Sequence, residues 1–138
     1  MLQGSRREAR ERALELLYEA EAKGQAPDEV LRHLPISPDP FAVALVTGVG
    51  QRLEELDGHI ERLAKDWTVE RMPWVDRSIL RIGAFELLAR ADVPTGAILS
   101  EAVELAKRFS TEEAGRFVNG VLSNLARQVR PATEPDAR

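Results

Sequence analysis

Apolar residues in this chain recur at intervals of three and four, and no segment shows the strict alternation of a half-buried strand. The clearest run is Val49, Leu53, Leu56, Ile60, Leu63 and Trp67, spaced 4-3-4-3-4 as a heptad seam. It predicts one long helix, capped by Asp39 with Pro40 at its first position and reaching about Asp66, roughly 40 Å at 1.5 Å per residue. Gly48 and Gly50 lie inside it, each costing about 1 kcal/mol relative to alanine. Close approach of another helix would account for that cost.

The same periodicity divides the rest of the chain. Ser5-Arg6-Arg7-Glu8 reads as a capping box opening a helix over 6–23 that stops at Gly24, with Ala9, Ala13, Leu16, Leu17 and Ala20 inward. A short helix is predicted over 27–34. Pro73 opens another, carried by Val75, Ile79, Ile82 and Leu87 to about Arg90 and broken by Asp92-Val93-Pro94. A helix over 95–108 buries Ile98, Ala102, Leu105 and Phe109. A second capping box, Ser110-Thr111-Glu112-Glu113, launches the last, with Phe117, Val118, Val121, Leu122 and Leu125 inward to about Val129. The expectation is an all-α domain over 1–130, built as two packed helical sub-bundles with short loops, and a disordered tail over 131–138.

Composition narrows the function. A chain of 138 residues with 43% apolar and 30% charged residues fits one folded domain. Cysteine is absent, which removes disulfides and thiolate chemistry. His33 and His59 are far apart and make a poor metal set, so neither metal nor cofactor is expected. No apolar run reaches the ~18 residues of a membrane helix, and the first residues lack the apolar core of a signal peptide. The expected location is the cytoplasm. Net charge is −4, against a generic polyanion binder, yet residues 1–12 carry +2 and residues 107–130 carry +3. Basic ends on an acidic body point to a local anion site.

Four constellations stand out. Arg6, Arg7, Arg10 and Arg12 cluster at a helix N-terminus, and 16 of the 19 basic residues are arginine, whose planar fork suits phosphate. Arg6 and Arg10 share a helical face. The alternative is a solvated face on which Glu8 and Glu11 pair locally with the arginines. In Phe117-Val118-Asn119-Gly120-Val121-Leu122, a glycine inside a helix points to close packing or to a ligand's approach. Asn119 at its edge reads either as a base-edge contact or as a contact to a loop. Among Asp76, Glu86, Glu101 and Glu104, Glu86 falls within an apolar stripe and needs a partner, either Arg81, another buried arginine or a helix N-terminus. No nucleophile, metal set or phosphate loop surrounds these carboxylates, so no catalytic residue is assigned. Tyr18 lies off the core stripe of its helix, where it either covers a loop or anchors a partner.

Taken together, these segments resemble the NusB family of transcription antitermination proteins. Arg7-Glu8-Ala9-Arg10 with Ala13, Leu17 and Tyr18 is similar to the family's amino-terminal signature. Asp76 to Ile82 with Phe85-Glu86-Leu87, then Asp92-Val93-Pro94, Glu101 to Lys107 and Phe117 to Leu122, follow in the family's order. The resemblance implies six to seven helices packed as two three-helix bundles. It implies binding of boxA-type single-stranded RNA together with NusE, a small-subunit ribosomal protein, in an RNA polymerase antitermination complex that supports ribosomal RNA synthesis. It places Arg6, Arg7 and Arg10, with Lys107, Glu113, Arg116 and Asn119, at the RNA, and Tyr18 and Asp76 at NusE. A homodimer is among the assemblies it admits. Glu8 and Glu11 dilute the basic segment, and Ser100 stands where the family commonly has asparagine.

Two other function classes remain open at this point. One is a helical adaptor that binds only protein. The other is a helix-turn-helix DNA regulator, which the acidic residues Glu101 and Glu104 disfavour because phosphate would be repelled.

Overall fold

A computed structural model describes residues 5–65 and 67–130. Among them, seven α-helices and one 3₁₀ turn form the whole of the regular structure: α1 (Arg6–Lys23), α2 (Pro27–Arg32), α3 (Pro40–Gln51), α4 (Leu53–Ala64), the turn Val69–Arg71, α5 (Trp74–Ala89), α6 (Thr95–Phe109) and α7 (Glu112–Val129). The expected tail beyond Arg130 lies outside the described residues.

Local chemistry sets the helix ends. Ser5 Oγ accepts from the Glu8 amide while Glu8 accepts from the Ser5 amide, a complete capping box. Gly24 closes α1 in the left-handed conformation, φ 65°, returning its N–H to Ala20 and Glu21. Asp39 caps α3 by accepting from Phe41 N at 2.7 Å. At the start of α7 the cap is Thr111, which accepts from Ala114 N at 2.9 Å; the second capping box expected from Ser110 is not formed, since Ala114 at the third helical position has no carboxylate to reach back.

The long seam helix is broken. Arg52, at φ −117° and ψ 25°, separates α3 from α4. Val49, Leu56 and Ile60 remain buried, but Leu53 at the break is exposed, and so is Trp67, beyond the end of α4 at Ala64. Both glycines before the break face close neighbours, and at Gly48 the approach leaves no room for a side chain. A Cβ on Gly48 would lie 2.2 Å from the Phe85 ring, and one on Gly50 would lie 3.2 Å from Pro27.

α1, α2 and α3 pack on one another as an amino-terminal bundle, and α5, α6 and α7 as a carboxy-terminal one, with α4 laid against α5 and α7. α5 also contacts α1 and α3, so one continuous core runs through both bundles. Leu16, Leu45, Leu56, Ile60, Ile79, Leu80 and Leu122 are fully buried there, each contributing about 1.5–3 kcal/mol of transfer free energy. Phe109, expected inward, is instead exposed at the end of α6 with the Arg108 guanidinium over its ring.

Candidate nucleic-acid and partner interface

Arg10 and Glu86 join the two bundles. Arg10 Nε and Nη2 each donate to a Glu86 carboxylate oxygen at 2.7 Å, and both side chains are buried. The expectation that Glu86 is paired is met by this arginine, while Arg81 pairs with Asp57 instead. Arg10 therefore differs from its expected role: its fork is spent inside the protein and does not face solvent phosphate. The helical wheel places Arg6 and Arg10 on one face, but that face turns inward after one turn.

Arg6 and Arg7 remain at the surface, each engaged by a carboxylate. Arg7 donates two bonds of 2.9 Å to Glu101 of α6, and Arg6 donates to Asp92 at 3.3 Å. Farther along, Arg108 of α6 pairs with Glu11 of α1. The three pairs bridge α1 to α6 and the turn before it. Glu11 is thus used across the seam, whereas Arg12 pairs along its own helix with Glu15. Beside them runs an open groove of about 460 Å³ between the start of α1 and the start of α6. Asp92 also takes two bonds of 2.9 Å from Arg90, and these hold its carboxyl well below the ordinary value, at about 2. The Glu101 carboxyl is likewise lowered, chiefly by its hydrogen bond from Arg7.

The remaining residues expected at RNA lie at the end of α6 and along α7. Lys107, Glu113, Arg116 and Asn119 are all exposed. Glu113, Arg116 and Asn119 follow at steps of three, on one flank of α7. Asn119 Oδ1 accepts a long bond from Ser123, and its amide nitrogen makes no hydrogen bond among the described residues. Gly120 is exposed with nothing within 4 Å of the position of a Cβ, so close helix packing does not explain it.

Tyr18 is half exposed, and its ring packs on Trp74 of α5 with centroids 4.3 Å apart. Asp76, two residues beyond Trp74 and expected at NusE, is buried, and its Oδ1 has no hydrogen-bond partner among the described residues. It lies in the wall of a cleft of about 440 Å³ shared with Trp67, Phe117 and Glu113, which brings one residue expected at RNA beside one expected at the protein partner.

Sequence reasoning missed Arg90, Arg108 and Arg130. Arg6, Arg10 and Arg90 place their guanidiniums 4.9, 5.3 and 5.0 Å from the centroid of the Phe41 ring. Arg130 donates to the carbonyls of Glu86, Leu87, Arg90 and Val93 and to the Thr95 hydroxyl, with bonds of 2.6–3.1 Å. That uses all five N–H groups of the fork and gives the Leu87 carbonyl, in the last turn of α5, a partner. Arg130 thereby ties α7 to the turn that carries Asp92. For Arg108 and Arg130 only the basic excess over 107–130 hinted at such roles, and for Arg90 nothing in the sequence did. Among the described residues, no group of three His, Cys, Asp or Glu side chains could hold a metal, and no helix is long and apolar enough to cross a membrane.

Two helical bundles joined along an arginine–carboxylate seam define an all-α domain. Residues 7–127 match the NusB family. The transcription antitermination protein NusB of Thermobifida fusca is 46% identical over 126 residues, covering 88% of this chain and 89% of that protein. Its counterpart in Heliobacterium modesticaldum is 44% identical over 134 residues, covering 93% of this chain; the chain spans 65% of that relative's length. The fold matches T. maritima NusB with a TM-score of 0.85 and 29% identity, over 94% of this chain and 96% of that one. It also matches a chain in the crystal structure of antitermination factors NusB and NusE in complex with dsRNA, with a TM-score of 0.75 and 32% identity, over 89% and 96% of the two chains. The chain belongs to the NusB family.

Proposed function

We propose that this chain is a transcription antitermination factor that binds boxA-type single-stranded RNA together with ribosomal protein NusE. In this reading it joins the RNA polymerase antitermination complex in the cytoplasm and supports processive transcription of ribosomal RNA operons. The observation that carries the reading is the near full-length kinship with proteins named for antitermination, together with a structural neighbour crystallised with NusE and RNA.

The site chemistry supports it residue by residue. Arg6 and Arg7 stand at the surface at the start of α1, where a helix N-terminus adds a partial positive charge. Lys107 and Arg116 add cations, and the Asn119 amide supplies a donor that could meet a base edge. Glu113 sits among them as an acceptor. Arg10 serves the site by fixing α1 against α5 rather than by touching phosphate. Tyr18 backed by Trp74 is an amphipathic aromatic anchor of the kind that dominates protein interfaces. Asp76 lines the neighbouring cleft, where a basic side chain of the partner would approach its carboxylate.

Calorimetry with NusE from the same organism, with and without a boxA-type RNA, tests the proposal. The expected result is binding of NusE by the parent, tighter RNA binding by the pair than by either protein alone, and loss of NusE binding in Tyr18→Ala with its helical circular dichroism intact. A folded parent that binds neither NusE nor RNA would overturn it.

A further inference from the structure

The exposed arginines of α1 are not waiting empty for a ligand. Arg7 is held by both oxygens of Glu101, in the two-pronged geometry a phosphate would present, and Arg6 is held by Asp92. Both carboxylates come from outside α1, one from α6 and one from the turn before it. That turn is tied down by Arg130 and by the two bonds from Arg90 to Asp92. Each acid is therefore delivered to its arginine by the tertiary fold rather than by chance along one helix. Arg7 is about half exposed and Glu101 about one-fifth exposed, so the pair can be approached from the groove without unfolding anything.

We infer that Glu101 and Asp92 are specificity-determining residues that occupy Arg7 and Arg6 as internal stand-ins for phosphate, so that an RNA strand must displace them to bind. The inference rests on the RNA reading above and deepens it. A phosphate meeting a free arginine gains a charge-assisted bidentate contact. A phosphate meeting Arg7 here must break an equivalent contact and approach a carboxylate. A strand that makes only backbone contacts gains little from that exchange. One oriented by base contacts, or by a second protein, recovers the difference elsewhere. The acids thus suppress indiscriminate binding of single strands by a segment that is otherwise well formed for it.

The test uses Glu101→Gln, Asp92→Asn and the double variant, with Glu104→Gln as control. Glu104 lies one turn along α6 and makes no hydrogen bond to Arg7 among the described residues, although its charge acts on Arg7. The probe is a fluorescent oligouridylate titrated across a range of salt concentrations, with circular dichroism as the fold control and Arg6→Ala with Arg7→Ala as the site control. The expected result is a gain in affinity of about two- to fivefold for each released arginine, with the salt slope steeper by about 0.7 for each. Glu104→Gln should show a clearly smaller gain. Unchanged or weaker binding in Glu101→Gln would overturn the inference, because the carboxylate would then be positioning Arg7 rather than competing for it. An equal gain in Glu104→Gln would overturn it as well, since only the general field would matter. If the parent's RNA binding does not depend on Arg6 and Arg7, the reading that places RNA at this segment fails, and the inference with it.

Discussion

Arg10 of α1 and Glu86 of α5 form a buried two-pronged ion pair, 76 positions apart in the chain, that joins the two helical bundles. Desolvating two charges is costly, and their attraction offsets that cost only while both are present. Glu86→Ala or Arg10→Ala alone should destabilise the fold by about 3–5 kcal/mol, because each strands the other charge in the core. Arg10→Met combined with Glu86→Leu should cost far less than the two single losses together. Urea denaturation of the four proteins measures this. A double variant as unstable as that sum would mean the pair does more than satisfy itself.

Two glycines should respond in opposite directions to alanine. At Gly48 the new methyl would meet the Phe85 ring at 2.2 Å, and overpacking of this kind costs about 1–3 kcal/mol. At Gly120 there is open space, so alanine should gain about 1 kcal/mol of helix propensity. If RNA approaches the backbone at Gly120, the same variant should bind RNA more weakly while melting higher. Thermal melts and RNA titration on the two variants separate these outcomes. A destabilised Gly120→Ala would contradict the open environment.

The acid side of the seam has a pH signature. Asp92 titrates at about 2 against an ordinary value of 3.8, mainly through its hydrogen bonds from Arg90. A depressed folded pKa means its contribution to stability is present above the unfolded value and is lost as pH falls through about 2. A carbon-detected carboxyl titration should place the midpoint near there in the parent and return it toward 3.8 in Arg90→Ala. An unshifted midpoint in that variant would remove Arg90 as the cause.

Much of this was legible in the residues, for physical reasons. The caps at Ser5, Gly24 and Asp39 are local chemistry, and so were readable from three or four neighbours. The Gly48 and Gly50 cost correctly signalled close contact. Glu86 was readable as paired because a carboxylate in an apolar stripe must be satisfied, but its choice of Arg10 over Arg81 depends on how two distant helices meet. The same dependence misplaced Arg10: periodicity says which residues share a face and not what that face turns toward. The break at Arg52 was hidden because the apolar spacing stays in phase across it. Asp76 stands in the first turn of α5, where a carboxylate suits the helix dipole, so nothing local shows that it is buried. Its cleft is completed by Trp67, nine positions before it, and by Phe117 of α7, 41 positions after it, which local spacing does not reveal.

The central claim is that the start of α1 meets RNA through Arg6 and Arg7 and not through Arg10. The most direct measurement is the salt dependence of binding to a boxA-type single strand, for the parent, for Arg6→Ala with Arg7→Ala, and for Arg10→Met with Glu86→Leu. The surface variant should bind more weakly with a slope shallower by about 0.7 for each lost contact. The core variant, with its helices intact by circular dichroism, should keep the parent's slope. An unchanged slope in the folded surface variant, or a flattened one in the folded core variant, would contradict the account.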